Sequence, residues 1–266
     1  MTRKQSLWSI RQPVPRGTAL ALAFVMPVIV LAGWCIVSYG HLAPADFVPS
    51  PTEVVRGTLQ LFIQYDLATA ILLSTKRIVL AFLLAAAVAL PLGVLMGAFA
   101  PIHHVFEPIM APLRYMPISA FIPLLILWFG IYEKQKTAFL FLGVFVYLLP
   151  VVVSAIRAVP EELVQTALTL GASKLQVIRT VLVPAALPEI FDSFRVMNAI
   201  AWTYVILAEA VNPGQSLGYM VQLAYSHQRA SWSFAELIVI GGIGLLTDFI
   251  IRSMSALFFR WREVEL

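Results

Sequence analysis

Apolar runs of about twenty residues, the length that a helix needs to cross a bilayer, recur along this chain with short polar stretches between them. Most of these runs hold few or no charged residues. The pattern predicts six transmembrane helices, at residues 18–39, 78–100, 115–132, 137–156, 188–211 and 234–259. An even number of crossings places both termini on the same side of the membrane.

The composition supports a membrane protein. Of the 266 residues, 60% are hydrophobic and 12% are charged, whereas soluble domains have about 25% charged residues. Too little polar surface remains to cover a globule in water, so we predict an all-α integral membrane protein. The net charge of +4 comes from scattered lysine and arginine residues, which argues against a nucleic-acid-binding surface.

The distribution of lysine and arginine predicts the orientation. With both termini in the cytoplasm, twice as many of these residues fall inside as outside, in agreement with the positive-inside rule. The predicted parts are a cytoplasmic tail at 1–17, a first transmembrane helix with an external amphipathic segment at 18–76, a core of five transmembrane helices at 77–259, and a second cytoplasmic tail at 260–266. Within the core, residues 157–187 form a predicted cytoplasmic segment.

The external segment contains a helix start signal. Ser50 as N-cap and Glu53 at the third helical position predict a capping box. Val55, Leu59 and Phe62 then fall on one side, which predicts an amphipathic helix at the membrane surface. A solvated loop helix explains the same pattern equally well.

Between the predicted spans, residues 101–112 and 212–232 have the composition of loops, and residues 133–136 that of a charged turn. Gly93 and Gly97 are four residues apart within an apolar run. Small residues at this spacing let two backbones approach, so the pair predicts a close helix–helix contact.

Prolines and polar side chains inside the apolar runs indicate two helices that could line a path through the membrane. Pro117 and Pro123 interrupt the third run, and a proline kink at membrane depth is tolerated beside protein or water. The fifth run contains several polar residues, although interhelical hydrogen bonding explains each of them equally well. The candidate path residues are Met116, Ser119, Asn198, Trp202, Tyr204 and Glu209.

The stretch at residues 160–188 is too polar to span the bilayer. Acidic residues at its start and apolar residues at helical spacing predict a short helix that ends at Gly171. Ser173 is placed to cap a second short helix, which Pro184 and Pro188 are expected to end. The sequence therefore predicts two short helices joined by a glycine turn on the cytoplasmic face.

Motifs for ATP hydrolysis do not occur in this sequence. It contains no Gly-Lys dipeptide, so a phosphate-binding P-loop is excluded, and it has no HExxH pattern for a metal-dependent hydrolase. We expect that the chain is not an enzyme and has no cofactor or metal site of its own. ATP-driven work would need a separate ATPase subunit.

The spacing within residues 160–188 resembles a known signature. Permease subunits of bacterial binding-protein-dependent ABC importers carry Glu-Ala-Ala, three residues, Gly, nine residues and Ile-x-Leu-Pro. In this chain, glutamine replaces the Glu of the signature and threonine replaces one Ala. Valine replaces both the Ile and the Leu. The matching residues are Gln165, Thr166, Ala167, Gly171, Val181, Leu182, Val183 and Pro184.

Stretches along residues 47–225 also resemble the nitrate, sulfonate, taurine and bicarbonate branch of these permeases. They are FVPSPTEVV, STKRIVLAF, PLRYMPISAFIPLLILWFGI, LGASKLQVIRTVLVPAALPEI, AWTYVILAEAV and SLGYMVQLA. The resemblance implies a type I ABC importer permease fold, multi-pass in the bacterial inner membrane, that carries a small anionic solute. An ion-coupled secondary transporter and an ABC permease for a non-anionic, pyrimidine-like solute are the alternatives.

The resemblance also implies partners. These are a dimer of ABC ATPase subunits that binds ATP and Mg²⁺, a second copy of this chain, an external solute-binding protein and the lipid bilayer. For Glu209 we expect a structural or docking role, because an acid in the path of an anion would repel it. The residues implied in coupling to the ATPase are Glu161, Glu162, Gln165, Thr166, Ala167, Gly171, Ala172, Ser173 and Arg179.

Overall fold

The computed structural model of the protein describes residues 14–259, and every regular element in that range is helical. The predicted all-α fold is confirmed. The predicted tail at 260–266 and most of the tail at 1–17 lie outside the described residues. The helices are α1 (Arg16–Tyr39), α2 (Pro51–Gln64), α3 (Leu67–Ala98), α4 (Ala100–Tyr115), α5 (Ile122–Phe129), α6 (Glu133–Arg157), α7 (Glu161–Thr169), α8 (Lys174–Val177), α9 (Val183–Ala210), α10 (Leu217–Ser226) and α11 (Ala230–Phe258).

Helix α6 forms the centre of the helical core. It packs against both α3 and α9, and α9 in turn packs against α10 and α11. Buried side chains such as Phe139, Leu148 and Val152 recur along its whole length. A helix buried in this way belongs to the interior of a bundle. The apolar length of α1, in contrast, is not buried against the rest of the described chain.

The predicted contact at Gly93 and Gly97 is confirmed. A Cβ atom at Gly93 would lie 2.6 Å from Cγ1 of Val152, and one at Gly97 would lie 2.7 Å from Cβ of Ile156. Both partners belong to α6. The two glycines therefore let the backbone of α3 approach α6 more closely than any other residue would allow.

Four helices of the described chain are long and apolar enough to cross a bilayer, namely α1, α3, α6 and α11. Helix α4 and residues 118–129 together meet the same requirement, with a bend of 100° between them. Helix α9 has 28 residues, so it is about 42 Å long at 1.5 Å per residue. Its polar residues, including Arg195 and Glu209, make it less apolar than the others. The six predicted crossings thus correspond to four plain spans, one broken span and α9.

The prediction of a loop at 101–112 followed by one straight transmembrane helix at 115–132 is wrong. Residues 101–112 are helical within α4, and the chain then turns at Met116 into a 3₁₀ segment (Ile118–Phe121) followed by α5. Pro101 does not break α4, because it lies in the first turn, where its missing N–H is not needed. Pro117 favours an extended conformation for the residue before it, and Met116, with φ −78° and ψ 130°, ends the helix.

Two further stretches predicted as irregular are helical. Residues 133–136 form the first turn of α6, and residues 212–232 contain α10 and the start of α11. The hydroxyl of Ser216 caps α10 by accepting a hydrogen bond from the N–H of Tyr219 at 3.2 Å. Residues 214–218 match the GxSxG pattern of a nucleophile elbow, but that motif needs a strand before the serine. Ser216 follows a loop and is a buried helix cap.

Helix α2 begins as predicted. The N–H of Ser50 donates to Oε2 of Glu53 at 2.7 Å, and the N–H of Glu53 donates to Oγ of Ser50 at 3.3 Å. The hydrogen bond from the Ser50 backbone also holds the pKa of the Glu53 carboxyl below its usual value. Val55, Leu59 and Phe62 are exposed on the outside of the fold, as a helix at a membrane surface requires.

The α3–α6 contact predicts the effect of one added methyl group. We expect Gly93→Ala to destabilise the protein by about 1–3 kcal/mol, because the new Cβ would overlap Val152. The control Gly241→Ala adds the same group to α11 at a position with no atom within 4 Å, so it should be neutral or stabilising. Thermal unfolding of the detergent-solubilised protein measures both. Val152→Ala should partly rescue Gly93→Ala, and equal effects of the two glycine substitutions would contradict the packing argument.

Candidate functional site

The stretch after α6, which the sequence places in the cytoplasm, is a helix–turn–helix in the structure. Residues 158–160 separate α6 from α7, and Gly171 follows α7 with a φ of 85°. The N–H of Gly171 donates to the carbonyl of Leu168 at 2.9 Å, and the N–H of Ala172 donates to that of Ala167 at 3.0 Å. This pair of bonds is a Schellman motif, whose left-handed residue is most easily a glycine. The spacing from Ala167 to Gly171 thus follows from how α7 ends.

Ser173 begins the second helix with a capping box. Its N–H donates to Oε1 of Gln176 at 2.8 Å, and its Oγ accepts from the N–H of Gln176 at 3.4 Å. Helix α8 starts at the next residue. Because one cap ends α7 and another begins α8 within three residues, the angle between the two helices is set by local hydrogen bonds.

The second helix does not end at Pro184 and Pro188, contrary to the prediction. Helix α8 continues through a π-helical segment (Ile178–Leu182) directly into α9. A π-helical turn contains one extra residue, and this widening accommodates the ring and the missing N–H of Pro184. The helix–turn–helix is therefore joined to α9 by unbroken helix.

The residues implied in coupling lie together on this segment. Glu161, Glu162, Gln165, Thr166, Gly171, Ser173 and Arg179 are exposed, and Ala167 and Ala172 are half-buried. The apolar side chains of Leu163, Leu168 and Leu170 are exposed as well, that of Leu170 to 83%. Gln165, in place of the signature acid, donates a hydrogen bond to Glu161 within α7. An apolar edge with a polar border is typical of a surface that a protein partner covers.

A buried ion-pair network lies at the opposite end of α6. Arg77 of α3 donates from Nη1 to Oε1 of Glu209 in α9 at 2.6 Å. Its Nε and Nη2 donate to the two carboxylate oxygens of Glu133 at 2.5 and 2.7 Å. The side chain of Glu209 is fully buried, and that of Arg77 is 9% exposed. Two carboxylates thus compensate one largely buried guanidinium, Glu209 from the interior and Glu133, which is 61% exposed, from the surface.

Glu209 also connects this network to α10. Its Oε2 accepts from the N–H of Gly218 at 2.9 Å, and its Oε1 accepts from the hydroxyl of Ser74 at 2.7 Å. Ser74 in turn accepts from the N–H of Leu217 at 3.1 Å. A Cβ at Gly218 would lie 2.5 Å from Cβ of Glu209, so a glycine is needed for this approach. The network gives Glu209 a structural role that joins α3, α6, α9 and α10.

The hydropathy pattern misses most of this network. Lys76 and Arg77 precede the second predicted span and fall on the external side, and residues 133–136 are predicted as a charged turn. Helical periodicity was the signal that could have extended α3 toward the N-terminus. Its buried positions before the apolar run recur at intervals of three or four residues, at Leu67, Ala70, Ser74 and Arg77.

The structure does not bring the candidate path residues together. Met116 and Ser119 are exposed at the bend between α4 and α5. Asn198 and Trp202, in contrast, are buried, and their side-chain N–H groups both donate to Oγ1 of Thr247 in α11 at 3.0 and 3.1 Å. These two residues therefore make interhelical hydrogen bonds of the kind that polar groups form in membrane bundles.

Other polar residues of α9 also face neighbouring helices. The ring of Tyr204 lies over Gly143 of α6, where a Cβ would come within 2.6 Å of it. Arg195 makes a bidentate ion pair with Asp248 of α11, at 2.7 and 2.9 Å. The polarity of α9 thus serves its packing against α6 and α11, and Met116 and Ser119 are the candidate path residues on an open surface.

The network predicts that Glu209 matters more for stability than an ordinary ion-pair partner. We expect Glu209→Ala to destabilise the protein by about 3–5 kcal/mol, because it removes one compensating carboxylate from a buried guanidinium. The matched control is Glu107→Ala, which breaks the partly exposed Arg114–Glu107 pair and should cost about 1 kcal/mol or less. Thermal unfolding in detergent measures both, and similar losses in the two variants would contradict the prediction.

Comparison with known proteins gives the family. The family model described as the binding-protein-dependent transport system inner membrane component matches residues 89–262. A putative ABC transporter permease protein of Methanocaldococcus jannaschii is 37% identical over 73% of this chain and 73% of its own. The putative aliphatic sulfonates transport permease protein SsuC of Bacillus subtilis is 30% identical over 90% of this chain and 87% of its own. The taurine transport system permease protein TauC of Escherichia coli is 28% identical over 96% and 94%.

A solved structure shares the fold. It is the methionine ABC transporter MetNI in inward-facing conformations, with a TM-score of 0.65 and 20% identity over 73% of this chain and 96% of that chain. This likeness confirms the type I ABC importer permease fold, and the relatives confirm the resemblance to the sulfonate and taurine branch. The chain therefore belongs to the inner membrane components of binding-protein-dependent transport systems, and it is a permease subunit of an ABC importer rather than an enzyme.

Proposed function

We propose that this chain forms the translocation path for a small anionic solute and that a separate ATPase drives it through residues 157–187. The observation that carries the proposal is the exposed helix–turn–helix between α6 and α9. Three residues connect it to α6, and unbroken helix connects it to α9. A force on this segment would therefore act on two helices that pack against each other in the core.

The surface of the segment supports docking of an ATPase. Leu163, Leu168 and Leu170 offer an exposed apolar edge for a partner to bury, and the charged residues Glu161 and Arg179 lie on the same segment. ATP and Mg²⁺ would be bound by the ATPase and not by this chain. ATP binding would favour one of two states, inward-open or outward-open, and hydrolysis would release it.

Two copies of the chain would form the complete membrane unit. One chain has one coupling segment, whereas an ATPase dimer offers two docking grooves, so a twofold homodimer matches the partner. Leu127, Trp128 and Phe129 of α5 are exposed, Leu127 to 78%. This face and the neighbouring bend at Met116 and Ser119 would meet the second copy, with the path between the two. An external solute-binding protein would deliver the solute, and both termini would lie in the cytoplasm.

The relatives support an oxyanion as the solute. By their names, SsuC carries aliphatic sulfonates and TauC carries taurine, which also contains a sulfonate group. A small organic sulfonate is therefore the substrate class that we propose for this chain.

Reconstitution tests the proposed function. The chain, its ATPase and its solute-binding protein are placed in proteoliposomes, and uptake of labelled taurine and of an alkyl sulfonate is followed. We expect uptake that needs ATP and stops when the ATPase carries an inactivating substitution. Uptake that persists with the inactive ATPase and follows an ion gradient would instead identify an ion-coupled carrier.

The glycine turn gives a second test. Gly171→Val should weaken association with the ATPase and reduce ATP-dependent uptake, because a left-handed conformation costs a residue with a Cβ about 1–2 kcal/mol. No atom lies within 4 Å of a Cβ built there, so the effect is one of backbone conformation. Gly171→Asn is the matched control, since asparagine tolerates this conformation. Co-purification and uptake measure both, and normal values for Gly171→Val would refute the assigned role of the turn.

A further inference from the structure

A cavity of about 530 Å³ lies beside the buried ion-pair network, at the end of α6 opposite the coupling segment. Its walls come from α3, from the first turns of α6 and from the loop before α10. The exposed residues Lys76 and Gln215 form its rim, and the buried residues Arg77 and Lys136 lie deeper. We propose that this cavity binds a small organic oxyanion through Lys136, Arg77 and Lys76.

Lys136 is the observation that carries this proposal. Its side chain is 3% exposed, and its Nζ lies 3.7 Å from the nearest oxygen of Glu133. That distance exceeds a hydrogen bond, which for N–H···O groups is about 2.7–3.2 Å. The long ion pair with Glu133 is the one side-chain interaction of Lys136 among the described residues, and it leaves most of the three ammonium donors unused. A buried cation with unused donors that lines an open cavity favours an anionic ligand.

The neighbouring charges favour the same ligand. Arg77 uses three of its five N–H groups for Glu133 and Glu209, so two remain. Lys76 is exposed and forms no ion pair with the described residues. Three cationic side chains thus meet two carboxylates, and one positive charge is in excess. An oxyanion in the cavity would balance that charge, whereas a cation would increase the repulsion.

The size and walls of the cavity indicate the class of anion. A volume of about 530 Å³ falls within the roughly 300–1,000 Å³ of small-molecule sites, which is more than an inorganic ion of a few atoms needs. Leu73 and Leu80 add apolar walls to the cationic groups. This combination fits a short organic sulfonate or carboxylate, with its charged group at Lys136 and its carbon chain toward the leucines.

The place of the site suggests its use. In the proposed orientation the cavity is on the external side, where a solute-binding protein would release its cargo. We infer that it is an entry site for the transported oxyanion, and this part rests on the proposed function. The binding itself does not need ATP, so it is measured separately from transport.

The test uses the complex of this chain with its ATPase, purified in detergent without nucleotide. Its thermal unfolding is followed during titration with sodium methanesulfonate, and with sodium chloride at the same ionic strength. We expect saturable stabilisation by methanesulfonate beyond that by chloride. In Lys136→Met the half-saturating concentration should rise at least about tenfold, the effect of losing one charged hydrogen-bond donor.

Lys134→Met is the matched control, because Lys134 lies on the same turn, is exposed and does not line the cavity. It should bind methanesulfonate as the unmodified protein does. Lys76→Met is a second test at an exposed rim position that packing does not depend on, and it should also weaken binding. If Lys136→Met does not fold, the binding measured with Lys76→Met tests the proposal.

Three results would overturn the proposal. The first is equal stabilisation by chloride and methanesulfonate, and the second is unchanged methanesulfonate binding in both Lys136→Met and Lys76→Met. The third is stabilisation by phosphatidylglycerol that prevents the methanesulfonate effect, because it would assign the site to a lipid headgroup. Saturable methanesulfonate binding without ATP-dependent uptake would support the binding site and reject the proposed function. ATP-dependent uptake without saturable binding would support the proposed function and reject the binding site.

Discussion

The burial of Arg77 is the constraint on which much of this structure depends. A guanidinium keeps its charge at any physiological pH, so it can be buried only where carboxylates surround it. Glu133 and Glu209 provide these carboxylates from α6 and α9. The N–H of Gly218 in α10 also donates to the carboxylate of Glu209, which brings in a fourth helix. Separation of these helix ends would leave a buried charge unpaired. The parts of α3, α6 and α9 around Arg77 are therefore held as one unit.

The other end of α6 is built in the opposite way. Local hydrogen bonds at Gly171 and Ser173 shape a segment whose polar residues are exposed, whereas Val164, Ala167 and Val177 pack on the core side. Charge pairing thus joins α6 and α9 at one end, and a helix–turn–helix joins them at the other. A rigid central pair suits a transporter that changes state by movement between whole units, because packed cores do not deform continuously.

Sequence analysis succeeded where short-range interactions decide the structure. The capping box at Ser50, the helix cap at Ser173 and the glycine turn at Gly171 involve residues within a few positions of each other. It was wrong at the prolines, since residues 101–112 were predicted as a loop and Pro184 and Pro188 were expected to end a helix. Pro101 lies in a first turn, where no N–H is needed, and a π-helical segment accommodates Pro184. The effect of a proline depends on the turn around it, which composition does not specify.

By itself, the sequence determined the membrane class, the helical fold, the glycine turn between α7 and α8 and the family, because hydropathy, local caps and motif spacing are properties of neighbouring residues. Only the tertiary structure decided which polar residues are buried and what they bind. Arg77 and Glu209 are 132 positions apart and form one ion pair, and Asn198 and Trp202 meet at Thr247. The tertiary structure also decides the bend after α4 and the cavity at Lys136. Two residues that are far apart in the sequence and meet in the fold leave no periodic pattern in a single sequence. Their contact is therefore seen only in the folded structure.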